Sequence, residues 1–429
     1  MSPERKEIAK PRDPKTEPNA KKEPKKDPKK NTQQEPGEHT HEKTEEKRLK
    51  KGEQRVVDDR STRPRGPHEP GSGDLIEVER RRGRGARSNR VGRFESEQRE
   101  AFDDGWESLG ELDAFKTDVY RETAKSIIAH NDSPDVGFEQ SINPYRGCEH
   151  GCIYCYARPT HCFLGHSAGL DFETKLYAKV NAAELLEREL ADPRYLPKYI
   201  ALGAVTDPYQ PIEKEHRITR AVLEVLDRTN HPVGIVTKSA LVTRDIDILA
   251  AMARRNLVKV AVSLTTLDRA IARKMEPRAA TPPRRLEAMR ALSAAGVPVA
   301  VMVAPIVPAI TDSEIERIMA AASAAGAREA GYVLLRLPLE IKELFREWLQ
   351  TEFPHRAAHA INILRSMHGG KDYTPEWGVR QRGSGPYAEQ ISARFRLAVK
   401  RLGFNEWTAK LRTDLFQAPV ATGGQLKLF

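Results

Sequence analysis

Between about residue 180 and residue 340, two hydrophobic periods alternate along the chain. Stretches with an apolar residue every three or four positions read as helices; short, almost wholly apolar runs of β-branched residues read as strands buried on both faces. NAAELLEREL (181–190) is predicted helical and KYIALGAVTD a strand ending at Asp207. The helix EHRITRAVLEVLDRT leads to the strand PVGIVTKS, and TRDIDILAAMARRN leads to LVKVAVSLTT. TPPRRLEAMRALSAAG and TDSEIERIMAAASAAG then precede VPVAVMVAPIVP and AGYVLLRL. Helices that stop at Gly or Asn before each strand are the signature of parallel β-α units. With one strand expected ahead of a cysteine-rich loop, the pattern gives about six units, an α/β fold built as a partial TIM-like (β/α)6 barrel. Polar residues close the strands: Thr206 and Asp207, Lys238 and Ser239, Ser263, Thr265 and Thr266. In such folds the carboxyl ends of the strands carry the chemistry.

The flanks read differently. Residues 1 to about 75 are rich in Lys, Glu, Pro and Gln, with too little apolar surface to offset the entropy of ordering, and are predicted disordered. ERRRGRGARSNRVGRFE (Glu79–Glu95) follows, an arginine cluster interleaved with glycine. It is either a solvated tail or a phosphate-contacting segment. The predicted organisation is a disordered basic tail (1–95), a lead-in segment (96–140), the barrel (141–352), a helical extension (353–416) and a flexible tail (417–429). In the extension, YTPEWGVRQRGSGPY carries Trp377, Arg380 and Arg382, and is either a surface connection or an edge of the barrel mouth that touches substrate.

Lys and Arg number 71 against 61 Asp and Glu in 429 residues, a surplus of ten that favours a polyanionic partner such as nucleic acid. No run reaches membrane-spanning length and the first residues lack an apolar core, so no membrane association is expected. All 4 cysteines fall in one stretch, which leaves no disulfide framework, and a reachable thiolate site needs the reducing cytoplasm.

That stretch carries the most specific chemistry. Cys148, Cys152 and Cys155 are spaced C-x3-C-x2-C in NPYRGCEHGCIYCYARPTH, with Tyr154 just before the third. Soft thiolates suit zinc or an iron–sulfur cluster. With Cys162, His150 or His161 added, a four-ligand zinc site can be drawn. Structural zinc sites usually pair their cysteines in two short knuckles, whereas one tight run of three suits a four-iron cluster with one iron left open. Cys162, outside the run, is as readily a small buried residue as a functional thiol.

The loop closely resembles that of the radical SAM superfamily. SINPYRGCEHGCIYCYARPTH, LGAVTDPYQPIEK, IVTKSALVTRDIDIL, VSLTTLD with KMEPRAATPPRRL, and VMVAPIVP resemble the subgroup of spore photoproduct lyase and the DNA repair photolyase-like proteins. The resemblance implies a [4Fe–4S] cluster on Cys148, Cys152 and Cys155, with S-adenosylmethionine (SAM) chelating the fourth iron. It implies reductive cleavage of SAM to a 5′-deoxyadenosyl radical, with an electron donor as partner. By position, Tyr154 is expected near the adenine, Thr206 and Asp207 near the SAM ammonium, Lys238 near its carboxylate, and Ser263 near the ribose or carboxylate. One departure matters. True lyases carry a hydrogen-donating cysteine where this chain has Ala204, which argues against the same thymine-dimer reversal unless Cys162 or Tyr156 supplies the hydrogen.

The chain ends in GGQLKLF, whose last five residues resemble the bacterial sliding-clamp binding peptide: Gln425 for hydrogen bonds, Leu426, Leu428 and Phe429 for apolar pockets. The expectation is therefore a radical SAM enzyme, lyase or transferase in type, acting on nucleic acid in a DNA-repair-like role. The alternatives are radical modification of RNA, a peptide or a metabolite, or a non-catalytic metal-binding adaptor for nucleic acid.

Overall fold

The computed structural model describes Ile76, residues 81–95 and residues 114–419. Most of the predicted N-terminal tail and the QLKLF motif lie outside these described residues. Within them, six parallel strands carry the barrel: β3 (Gln140–Ile142), β6 (Ile200–Leu202), β7 (Val233–Thr237), β8 (Val258–Ser263), β9 (Val299–Ile306) and β10 (Glu329–Leu334). The short β2 (Ile128–His130) adds antiparallel to β3, giving the order β10-β9-β8-β7-β6-β3-β2. The sheet is thus the expected partial (β/α)6 barrel, open between β10 and β2. A separate three-stranded sheet, β1 (Asp118–Glu122), β5 (Lys175–Lys179) and β4 (Tyr145–Arg146), brackets the cysteine loop.

The β-α rhythm follows from side chains and caps. Val258, Val260 and Val262 of β8 and Val299, Val301 and Val303 of β9 are buried beneath the helices, each such burial contributing about 1.5–3 kcal/mol. The helices α1 (Ile218–Arg228), α2 (Ile246–Ala253), α3 (Pro282–Ala294) and α4 (Ile315–Ala324) are followed by Asn230, Asn256, Gly296 and Gly326. All four have positive φ, the left-handed turn that releases the chain into the next strand. After β10 come α5 (Ile341–Glu352), α6 (Pro354–Ser366) and α7 (Pro386–Leu402), the helical extension. No described helix is long and apolar enough to cross a membrane.

One expectation needs correction. Residues 81–95 belong to no solvated tail: Gly85, Ala86, Arg87 and Ser88 are buried. Arg84 donates to Glu173 O (3.0 Å) and Thr117 Oγ1 (2.8 Å), while the Gly85 and Ala86 amides, each 2.8 Å away, donate to the two oxygens of Glu173. Ser88 donates to Glu347 Oε2 (2.7 Å); Arg87, Arg90 and Arg93 pair with Glu352, Glu347 and Glu340. A composition rich in Arg and Gly packs here because its partners, carboxylates 87 to 265 residues away in sequence, neutralise it. Gly85 is required by close approach: a Cβ there would stand 1.8 Å from Gly151 O in the cysteine loop.

Candidate active site

The cysteine loop is held from five directions. The Cys148 amide donates to Phe172 O (2.9 Å), Glu149 N to Gln210 Oε1 (2.9 Å) and Ile153 N to Met275 O (3.0 Å). Arg278 N reaches His150 O (3.3 Å), and the fully buried Arg158 donates to Cys152 O (2.9 Å). Arg158 in turn pairs with Glu173 (2.5 Å), so the strap of residues 84–93 and the cysteine loop share one buried carboxylate. Gly147 and Gly151, with φ of +72° and +67°, supply the left-handed turns that fold three cysteines into one loop.

Cys148, Cys152 and Cys155 line a cavity of about 450 Å³ at the carboxyl ends of the strands, a size typical of ligand sites. All three thiols are free. Cys162 is not among the lining residues; it is buried beside the strap, with its sulfur 3.3 Å from where a Cβ on Gly92 would stand. His161 turns its Nε2 to Lys175 O (2.9 Å). Neither residue joins the three cysteines as a fourth ligand; His150 does line the same cavity, with its Nδ1 3.3 Å from Asp207 Oδ2. Among the described residues, no three His, Cys, Asp or Glu side chains converge to hold a single metal ion. The three thiols instead line one cavity, and several thiolates around one space are the donor set an iron–sulfur cluster requires. Burial pushes the Cys148 thiol well up and that of Cys152 up to about 12, the latter opposed by Lys238. Such thiols become thiolates when a metal replaces the proton.

The polar strand ends meet this cavity, though not all as expected. β6 stops at Leu202, so Thr206 and Asp207 lie in a loop beyond the strand rather than at its tip. Thr206 lines the cavity but gives its hydroxyl to Tyr145 O (3.1 Å). Asp207 accepts from Lys238 N and Thr237 Oγ1 (both 2.7 Å) and from Tyr209 N (2.9 Å), and His150 Nδ1 stands 3.3 Å away, off the hydrogen-bond line. Burial raises its pKa, but His150 and these donors outweigh burial and hold it down at about 2. Asp207 therefore fastens the end of β7, with about one of its four acceptor directions left for a ligand. The Lys238 ammonium lies 5.7 Å above the Tyr154 ring, and Ser263, the last residue of β8, faces the same space.

Behind Tyr154 lies a buried network that sequence reading missed. The Tyr154 hydroxyl donates to Glu276, which pairs with Arg285 and accepts from Thr265 Oγ1 (2.7 Å). Burial opposes the ionisation of Glu276, yet Arg285 and Lys238 hold its pKa down at about 2. A Glu and an Arg nine positions apart in KMEPRAATPPRRL gave the only hint.

A family model and several known proteins are similar to this chain. A model of the radical SAM superfamily covers residues 142–322, the cysteine loop and most of the barrel. An uncharacterized protein of Mycobacterium tuberculosis is 37% identical over 230 residues, 53% of this chain and 68% of that protein. The chain belongs to the radical SAM superfamily. An uncharacterized protein of Methanocaldococcus jannaschii is 27% identical over 199 residues, 46% of this chain and 71% of its own. A spore photoproduct lyase structure aligns over 72% of this chain and 87% of that one, at 16% identity and a TM-score of 0.48. This radical SAM enzyme inherits from its family the expectation of a [4Fe–4S] cluster and SAM, and the three cavity-lining cysteines suit that requirement.

Two further groups of this radical SAM enzyme complete the mouth. Tyr156, next to Cys155, gives its hydroxyl to Ala204 O and lies under the Arg336 guanidinium, 4.2 Å from the ring centre. Arg382 lies 4.1 Å from the centre of the Tyr332 ring. Asp135 binds the mouth loop through Gly378 N (2.7 Å) and Arg380, joining the two edges of the open sheet. The loop 374–385 is thus an edge of the cavity, with Gln381 and Arg382 lining it, while Trp377 is exposed. Arg336 was legible only as a charge closing an apolar strand.

Proposed function

We propose that Cys148, Cys152 and Cys155 carry three irons of a [4Fe–4S] cluster, and that the enzyme acts on a nucleic-acid strand in a repair-like reaction. The bound cluster and SAM supply one-electron cleavage of the sulfonium, and hence a 5′-deoxyadenosyl radical. The chain's own residues do the rest. Tyr154, fixed by Glu276, offers a rigid ring beside the adenine; Lys238 offers an ammonium to the SAM carboxylate; Ser263 offers a hydroxyl to the ribose or carboxylate. Asp207 gives its remaining acceptor position to the SAM ammonium, and Thr206 stiffens the loop that carries it. Burial of the loop keeps water from a reactive carbon centre.

One observation carries the choice of nucleic acid. With Lys238 given to the SAM carboxylate, Arg336 and Arg382 still face the cavity, whereas its two carboxylates, Asp135 and Asp207, are engaged by protein donors. A cavity with this balance recruits an anion. The test is an anaerobic assay with dithionite, SAM and deuterated, lesion-bearing oligonucleotides. Deuterium in 5′-deoxyadenosine supports the reading; transfer from a peptide and from no DNA or RNA overturns it. Cys152→Ala should abolish 5′-deoxyadenosine formation with unchanged circular dichroism, and persistent formation refutes the ligand assignment.

Recruitment to a sliding clamp through Gln425, Leu426, Leu428 and Phe429 rests on the sequence pattern alone. Deleting residues 425–429 should remove clamp binding; unchanged affinity excludes it.

A further inference from the structure

We infer that Arg336 and Arg382 form a clamp for two phosphodiester groups of a single strand, one on either side of the nucleotide that enters the cavity. The inference rests on the nucleic-acid reading above and names the residues that would select the substrate.

Both side chains belong to one anchored edge. Arg336 lies two residues beyond the end of β10, and Gln381, next to Arg382, accepts from Leu334 N of that strand (2.9 Å). Each guanidinium rests on a tyrosine face, Tyr156 and Tyr332 respectively. Stacking on a ring fixes the guanidinium plane while leaving its N–H edge free to fork onto an anion. Among the described residues, neither guanidinium has a carboxylate partner. Asp135, a carboxylate that Arg336 acts on, is held by Gly378 N and Arg380.

The tyrosines themselves are fixed. The Tyr156 hydroxyl is bound to Ala204 O, and the Tyr332 ring packs 4.7 Å from Phe395. Tyr156 follows Cys155 directly, so a phosphate on Arg336 would stand beside the cysteine loop. The mouth leads into a cavity of about 450 Å³, far too small to admit a duplex, so the form that reaches it is a single strand or an extruded base.

The experiment is equilibrium binding of the reconstituted full-length protein to a fluorescent single-stranded oligonucleotide across a salt series. DNA and RNA of one sequence are run in parallel. Each phosphate contact on a single strand contributes about −0.7 to the slope of log affinity against log salt. Arg336→Gln and Arg382→Gln should each flatten the slope by about 0.7, and the double variant by about 1.4. Arg336→Lys with Arg382→Lys should keep the slope but bind more weakly, because the charge remains while the planar fork is lost. Arg228→Gln, which removes an arginine paired with Glu187, should change neither. Iron content and circular dichroism establish that each variant is folded. An unchanged slope in the double Gln variant, with wild-type binding intact, overturns the clamp and leaves the nucleic-acid reading standing. A wild-type protein that binds neither strand overturns both.

Discussion

Two regions of this radical SAM enzyme are rich in arginine, and they put the charge to opposite uses. In the strap, Arg84, Arg87, Arg90 and Arg93 turn inward onto Glu173, Glu352, Glu347 and Glu340 or onto backbone carbonyls. At the mouth, Arg336 and Arg382 lie on tyrosine rings with no described carboxylate partner. The denser cluster in sequence is thus the less available one in space. A guanidinium paired with a buried carboxylate has little left for a phosphate; one stacked on a ring keeps its donors. Whether an arginine reads as an anion site depends on its partner more than on the local density of charge.

The strongest way to break this comparison is to remove the carboxylate that knots strap to loop. Glu173 is fully buried, accepting from two strap amides and from Arg158, which also holds Cys152 O. Glu173→Gln leaves the fully buried Arg158 without its counter-charge, a loss of about 3–5 kcal/mol. Urea unfolding should show this loss, and the variant should retain less iron after reconstitution. Unchanged stability would mean that the strap is an ornament on the barrel rather than part of the site.

Next in size is a pH test that sets the bottom of the barrel against its mouth. His231, just before β7, has Nδ1 3.1 Å from Pro232 O and Nε2 2.7 Å from the Tyr195 hydroxyl; burial lowers its pKa to about 4. The unfolded chain then binds a proton below about pH 6.5 that the folded chain refuses until about pH 4, so stability falls as pH drops through that window. His161 behaves likewise, its pKa lowered to about 4 by burial and by His166. At the mouth the sign is that of depressed carboxylates. Asp207 and Glu276 stabilise the fold above the ordinary carboxylate range and lose that effect as pH falls toward about 2. In His231→Gln, the slope of stability against pH between 4 and 6.5 should shrink by up to about 1.4 kcal/mol per pH unit. An unaltered slope would assign the acid sensitivity elsewhere.

Legibility in the sequence follows the range of the interactions. The six β-α units were readable because strand period, helix period and Gly or Asn stops are local. The cysteine loop was readable because its spacing is local too. The end of β6 was misplaced by five residues, since nothing local distinguishes Gly203–Asp207 from continuing strand. Glu173 on Gly85, Glu276 on Tyr154 and Asp135 on Arg380 join residues 88, 122 and 245 apart. Such pairs leave no periodic trace, and they decide which polar residues remain for a ligand.

The smallest effect is the most discriminating for the two arginine regions. Arg93 pairs with Glu340 at the outer end of the strap, with side chains 37% and 23% exposed. Water screens such a pair, so Arg93→Gln should cost only about 0.2–1 kcal/mol. Its guanidinium also lies 5.3 Å and 5.9 Å from the rings of Phe94 and Phe163, so by its aromatic neighbours alone it resembles the mouth arginines. The difference is the carboxylate. If pairing decides availability, Arg93→Gln leaves the salt dependence of oligonucleotide binding unchanged, while Arg382→Gln, at a similar cost to stability, flattens it. Equal flattening in both variants would mean that strap and mouth form one basic surface, and that internal ion pairs do not keep an arginine from phosphate.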